Sequence, residues 1–124
     1  TDVTGFGLVG HLKEMFPNHH LGAELSLASI PLYEGAEILS ENGVESSLYR
    51  ENKKSSSFVD SDIKPSESTK YPLLFDPQTS GGLLAAVPPE KALAAKAELI
   101  AAGYSGTSVI GTVKKNAGRF LLND

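Results

Sequence analysis

Leu73-Leu-Phe-Asp76-Pro-Gln-Thr-Ser-Gly-Gly82-Leu-Leu-Ala-Ala-Val87 joins two apolar runs through seven polar or glycine positions. The runs 73–75 and 83–87 read as strands, and the segment between them reads as their turn. A turn between strands needs one or two special residues. This one holds an acid, a proline, an amide, two hydroxyls and two glycines. Asp76-Pro77 suits turn initiation, and Gly81-Gly82 permits positive φ or a close backbone approach. Gln78, Thr79 and Ser80 add hydrogen-bonding groups that a turn does not use. Asp76, Gln78, Thr79, Ser80, Gly81 and Gly82 therefore carry two readings, a structural turn and an element of a binding cleft.

A second dense segment is Thr1-Asp-Val-Thr-Gly-Phe-Gly7, which runs straight into an amphipathic stretch. Leu8, Val9, Leu12, Met15 and Phe16 recur at helical spacing, so residues 5–16 read as a helix. Thr4 is its expected N-cap, with Gly5 and Gly7 in the first turn, and Pro17 and Asn18 end it. Asp2, just upstream, has two readings. It is a carboxylate suited to Mg²⁺, which takes one or two carboxylates plus phosphate oxygens. It is equally an acid stabilised by the helix dipole. Thr4, Gly5 and Gly7 could face a ligand, because free N–H groups at a helix start attract anions. Their spacing is neither a P-loop nor a dinucleotide fingerprint. Two polar, glycine-bearing turns in one small domain point to a phosphate or metal–phosphate site.

The chain has 124 residues, enough for one domain, with 40% hydrophobic and 21% charged residues. A net charge of −4 speaks against a nucleic-acid-binding surface. The chain has no cysteine, which excludes disulfides, a thiol nucleophile and thiolate metal sites, and fits a cytoplasmic protein. No apolar run is long enough to span a bilayer, so no membrane partner is expected. Because Thr1 lies inside a functional-looking loop, the chain reads as a C-terminal piece of a longer protein.

Ala23, Leu25 and Leu27 alternate with polar residues as a half-buried strand does. Residues 32–42 read as a short helix with Leu32, Ala36 and Leu39 inward, closed by Gly43. Residues 45–72 hold eight serines and no sustained period. They are expected to form a long flexible loop or insertion. Pro88-Pro89-Glu90 opens an alanine-rich helix to Ala102, with Leu93, Ala97 and Ile100 on one face and Gly103 as its stop. Val109, Gly111 and Val113 alternate as a strand. Asn116-Ala117-Gly118 then turns the chain into a last strand, 119–122. The expected fold is α+β, a mixed and largely antiparallel sheet with helices packed against it. The histidines are poor site candidates. His11, on the helix beside Gly10, reads as a satisfied or half-exposed residue, and the adjacent His19 and His20 lack the i, i+4 spacing of a helical metal pair. Lys53-Lys54 reads as solvated loop.

Thr1-Asp-Val-Thr-Gly-Phe-Gly-Leu-Val-Gly-His11 and Leu74-Phe-Asp-Pro-Gln-Thr-Ser-Gly-Gly-Leu-Leu84, in this order, resemble the C-terminal domain of the selenophosphate synthetase (selenide, water dikinase) family. That family is related to aminoimidazole ribonucleotide synthetase. The resemblance spans the chain apart from the serine-rich stretch. It implies an aminoimidazole ribonucleotide synthetase C-terminal-domain-like fold that partners its own N-terminal ATP-binding domain, absent here. It also implies a homodimer in the full-length form. The implied reaction turns ATP, selenide and water into selenophosphate, AMP and orthophosphate, with Mg²⁺ as cofactor alongside ATP.

Residue by residue, the resemblance makes Asp2 a magnesium ligand. It places Thr4, Gly5 and Gly7 on the cleft facing the N-terminal domain. The Asp76–Gly82 turn is a family signature without an assigned chemical role. The family's catalytic residues lie outside this chain, so none is assigned here and the piece alone is expected to be inactive. Ser46-Ser-Leu-Tyr-Arg-Glu-Asn52 resembles a subgroup fused to an oxidoreductase-like domain. Two alternatives stand beside this reading: a related ATP-dependent enzyme of the purine or thiamine pathway, and a non-catalytic interaction module.

Overall fold

A computed structural model describes residues 1–16, 20–115 and 117–124. Pro17, Asn18, His19 and Asn116 lie outside the described residues, and with them the expected helix stop and the first residue of the last turn. Helix α1 spans Gly7–Met15, α2 Ala36–Glu41, α3 Tyr49–Asn52 and α4 Pro89–Ala101. Strands β1 (Leu21–Ser26), β2 (Val59–Ser61), β3 (Gly111–Lys115) and β4 (Phe120–Asn123) form one sheet in the order β2-β4-β1-β3.

The α+β class and the mixed sheet are as expected, but the balance of pairings is not. Only β1 and β3 are antiparallel, while β4 pairs parallel to both β1 and β2. The reason lies in the strand order. The chain reverses near Gly118, at φ 61°, yet β3 and β4 do not pair as a hairpin. They take opposite sides of β1, and a strand antiparallel to β3 must then run parallel to β1.

One face of this sheet carries the core. Ala23 and Leu25 of β1 lie opposite Phe120 and Leu122 of β4, and all four are buried. Val9 and Leu12 of α1, Tyr49 of α3, and Tyr71, Leu74 and Phe75 cover them. Phe75, Leu74, Leu122 and Val9 are the largest fully buried side chains. Each contributes about 1.5–3 kcal/mol on leaving water. Phe16 extends the contact from the end of α1, its ring centroid 6.1 Å from that of Phe120.

Several elements differ from expectation. Leu73, Leu74 and Phe75 form the 3-10 helix Pro72–Phe75 rather than a strand. Short apolar runs are ambiguous between the two. Pro72 presets a helical φ, and successive i→i+3 bonds (Leu73 N to Lys70 O, Leu74 N to Tyr71 O) tighten the chain. In residues 83–87 only Leu83 enters a bridge, opposite Asp2. This segment therefore does not join the sheet, and α4, which follows it, buries no residue. Leu93, expected inward, is 78% exposed, and Ile100 and Ala97 are exposed too. Helix α4 rests on its own propensity, with proline at its first position and Gly103 (φ 100°) at its end.

Helix α2 ends as expected at Gly43 (φ 72°), with Val44 N bonded to Leu39 O. It buries no residue, however, and Leu39 is exposed. Residues 45–72 are not structureless. They contain α3, the 3-10 helix Lys53–Phe58, β2 and the 3-10 turn Pro65–Glu67. Tyr49 supplies the reason, since its buried ring ties α3 into the core.

Two expectations follow for stability. Gly7 has φ 68°, and a Cβ there would lie 2.8 Å from the backbone carbon of Phe75. Gly7→Ala should cost at least about 1–2 kcal/mol from the left-handed backbone alone, with the clash added. Urea unfolding reads this, and a variant as stable as wild type would contradict the packing. Arg119 makes a forked pair with Asp60, at 2.6 and 2.7 Å, joining β2 to the start of β4. The Arg119 hydrogen bond holds the Asp60 carboxyl below its ordinary 3.8. The pair's contribution is therefore present above that value and fades as pH falls through the lowered one. Arg119→Met should lower the melting temperature slightly at pH 7 and less at pH 3, because the pair is exposed. An equal loss at both pH values would contradict it.

Candidate functional site

The two glycine-bearing motifs, some 75 positions apart in sequence, meet as a short backbone ladder. Thr1 N and Leu84 O are 3.0 Å apart, Leu84 N and Thr1 O 2.8 Å, and Val3 N and Gly82 O 2.9 Å. Gln78 N donates to Thr4 O at 2.9 Å. The approach is close enough that a Cβ at Gly81 would lie 1.9 Å from Val3 O. Gly81 and Gly7 are therefore glycines because backbone meets backbone. A Cβ at Gly5 or Gly82 would meet nothing within 4 Å.

Thr4 is not the N-cap of α1. The cap position is Phe6, without a side-chain cap bond, because the left-handed Gly7 delays the helix start. The Thr4 hydroxyl lies instead 3.1 Å from Nε2 of His11, and the Phe6 N–H donates to the same nitrogen at 3.4 Å. A backbone N–H needs an acceptor, and Nε2 is the one placed to accept it. Nδ1 lies 3.1 Å from a Glu14 carboxylate oxygen but is not aligned for a hydrogen bond. His11 is thus buried rather than half-exposed, with Nε2 used inside the turn and Nδ1 without a hydrogen-bond partner. It braces the Thr4–Phe6 turn from within α1.

Asp2 stands on the ladder and is exposed, as are Thr79, Ser80 and Gly82. Thr4, Gly5, Asp76, Gln78 and Gly81 are half-buried, and Gly7 is buried. Burial pushes the Asp76 carboxyl above its usual range, and the nearby Ser46 backbone N–H opposes the shift. The structure therefore brings the two motifs together but buries Gly7 against the Phe75 backbone, and separates within them an exposed carboxylate (Asp2) from a partly desolvated one (Asp76).

Among the described residues no three His, Asp or Glu side chains group to hold a metal. Asp2 is one exposed carboxylate, and carboxylate oxygen is the donor type that Mg²⁺ takes. His20 is exposed, and His19 lies outside the described residues. Lys53-Lys54 is as solvated as expected, with Lys54 paired to Glu51 at 2.6 Å and Lys53 set 5.5 Å from the Tyr49 ring centroid. Tyr49, Lys53 and Lys54, with Glu45 and Arg50, line a shallow groove on α3 that does not include Asp2.

Sequence reading missed Asn52. It is only 9% exposed, and its carboxamide donates to Gly5 O at 2.8 Å and to Phe75 O at 3.0 Å. No local signal marks it, because its partners lie 47 and 23 positions away.

Comparison with known proteins shows the family of the chain. Residues 1–122 match the family described as AIR synthase related protein, C-terminal domain. The chain is 38% identical to selenide, water dikinase 2 of Peptoclostridium acidaminophilum over 98% of its length and 35% of the relative's. It is 41% identical to the selenide, water dikinase of Caldanaerobacter subterraneus subsp. tengcongensis over 93% of its length and 33% of the relative's. With the corresponding enzyme of Pseudomonas aeruginosa the identity is 44%, over 80% of this chain and 29% of the relative. The chain thus spans about a third of the length of the curated relatives it matches. No described helix is long and apolar enough to cross a membrane. By the extent of the family match, this chain belongs to the AIR synthase related proteins, as their C-terminal domain.

Proposed function

We propose that this domain forms one wall of the metal–nucleotide cleft of a selenide, water dikinase, the enzyme that makes selenophosphate, AMP and orthophosphate from ATP, selenide and water. The observation that carries the reading is the ladder between residues 1–4 and 78–84. It brings Asp2 beside the Gln78–Leu84 stretch, in which Thr79 and Ser80 are exposed as Asp2 is. The names of the similar proteins support the same reaction.

Asp2 is the magnesium ligand of this wall. Magnesium, when bound with ATP, neutralises phosphate charge during phosphoryl transfer. The chain's own residues have simpler tasks. The ladder orients Asp2 outward. His11 holds the Thr4 hydroxyl and the Phe6 N–H in the turn below it. Thr4 and Gly5 border the cleft, and the open space beside Gly5 leaves room for a ligand or a second domain. The rest of the cleft belongs to an N-terminal ATP-binding domain, and the full-length protein works as a homodimer in the cytoplasm.

The full-length protein should form AMP from ATP and selenide. Asp2→Ala should reduce that rate by on the order of a hundredfold or more, the scale of losing several kcal/mol of charge stabilisation. Normal turnover by the variant would remove Asp2 from the metal site. Among the described residues no three His, Asp or Glu side chains group to hold a metal without a second domain. Calorimetry of the 124-residue chain alone with Mg²⁺–ATP should therefore give no measurable heat of binding. Micromolar affinity would show that the domain holds more of the nucleotide site than one wall.

A further inference from the structure

The carboxamide of Asn52 occupies an unusual position. Carbonyl oxygens only accept hydrogen bonds, so the two contacts at 2.8 and 3.0 Å identify the atom facing Gly5 and Phe75 as the nitrogen. Both of its N–H groups are spent on backbone. One goes to the turn that leads from Asp2 into α1. The other goes to the last residue before Asp76. No backbone donor from another element reaches either carbonyl among the described residues. One buried side chain from α3 thus closes the base of the ladder from which Asp2 projects.

We propose that Asn52 is a positioning residue of the cleft: it fixes the spacing of the two motif loops, and so the placement of Asp2, without touching ligand. This rests on the dikinase reading above. An unmade bond here would leave the buried Phe75 carbonyl and the part-buried Gly5 carbonyl without this donor. The loops, still paired through the ladder, would shift at its Gly5–Phe75 end, while the sheet, to which Asn52 makes no hydrogen bond, keeps its packing. Misplacement of about 1 Å at a distance from the chemistry is enough to cost on the order of a hundredfold in rate.

The test compares full-length wild type with Asn52→Ala and Asn52→Ser well below their melting temperatures. Amide hydrogen exchange is followed over residues 1–7 and 76–84, and the Mg²⁺ concentration that half-saturates AMP formation is measured. In Asn52→Ala both segments should exchange faster together while β1 and β4 keep their protection, and the half-saturating Mg²⁺ should rise by about tenfold or more, within the range that a 1 Å misplacement can cost. Asn52→Ser, with one hydroxyl donor for two carbonyls, should fall between. A wild-type Mg²⁺ dependence in folded variants would make Asn52 merely structural and overturn the assignment. So would faster exchange spread equally over the sheet, or failure of both variants to fold. Wild type that makes no AMP from ATP and selenide would sink the dikinase reading and this assignment with it. Active wild type beside variants of unchanged Mg²⁺ dependence would sink the assignment alone.

Discussion

The close approach of two backbone segments, residues 1–7 and 75–84, governs how this domain is built. It requires no side chain at Gly7, where Phe75 backbone lies within 3.0 Å of a notional Cβ, and none at Gly81, where Val3 O intrudes further. Given those two glycines, main-chain groups pair across the contact and the segments stay together. α1 is then seated against the Pro72–Phe75 turn, and Val9, Leu12, Leu74 and Phe75 enter one core with the sheet. The same contact that completes the core delivers Asp2 and the polar turn to a common edge.

The sheet itself is covered on one side. Buried and less buried residues alternate along β4, where Phe120 and Leu122 point inward and Leu121 stays exposed. Helices α2 and α4 contribute no buried residue to it. The fold therefore concentrates its apolar contacts between the sheet and α1, α3 and the Pro72–Phe75 turn. The proposed cleft borders this packed half of the domain. A carboxylate meant to meet a metal gains from such a base, because positioning contributes much of phosphoryl-transfer catalysis.

Much of this was legible in the chain. The period of Leu8, Val9, Leu12 and Phe16 located α1, and the alternation of Ala23, Leu25 and Leu27 located β1 with the correct inward face. Gly43 and Gly103 marked helix ends, where positive φ is needed. Other readings failed for identifiable reasons. The run 73–75 is too short for periodicity to choose between strand and 3-10 helix. Leu93, Ala97 and Ile100 form an apolar stripe, but a stripe records only a capacity to be buried. Residues 45–72 lack a period because their structure consists of short turns anchored singly, by Tyr49 and Asn52, rather than by a repeating face.

Local chemistry, then, settled where helices could begin and stop, which face of β1 would be apolar, and which two loops carried more polar and glycine residues than turns require. Those properties depend on neighbours a few positions apart, which is the range over which propensity and periodicity act. The tertiary structure alone decided that the two loops share one ladder, that β1 separates β3 from β4, and that Asn52 closes the ladder's base. Each depends on atoms brought together from 23 to 97 positions away, and no local pattern encodes such a meeting.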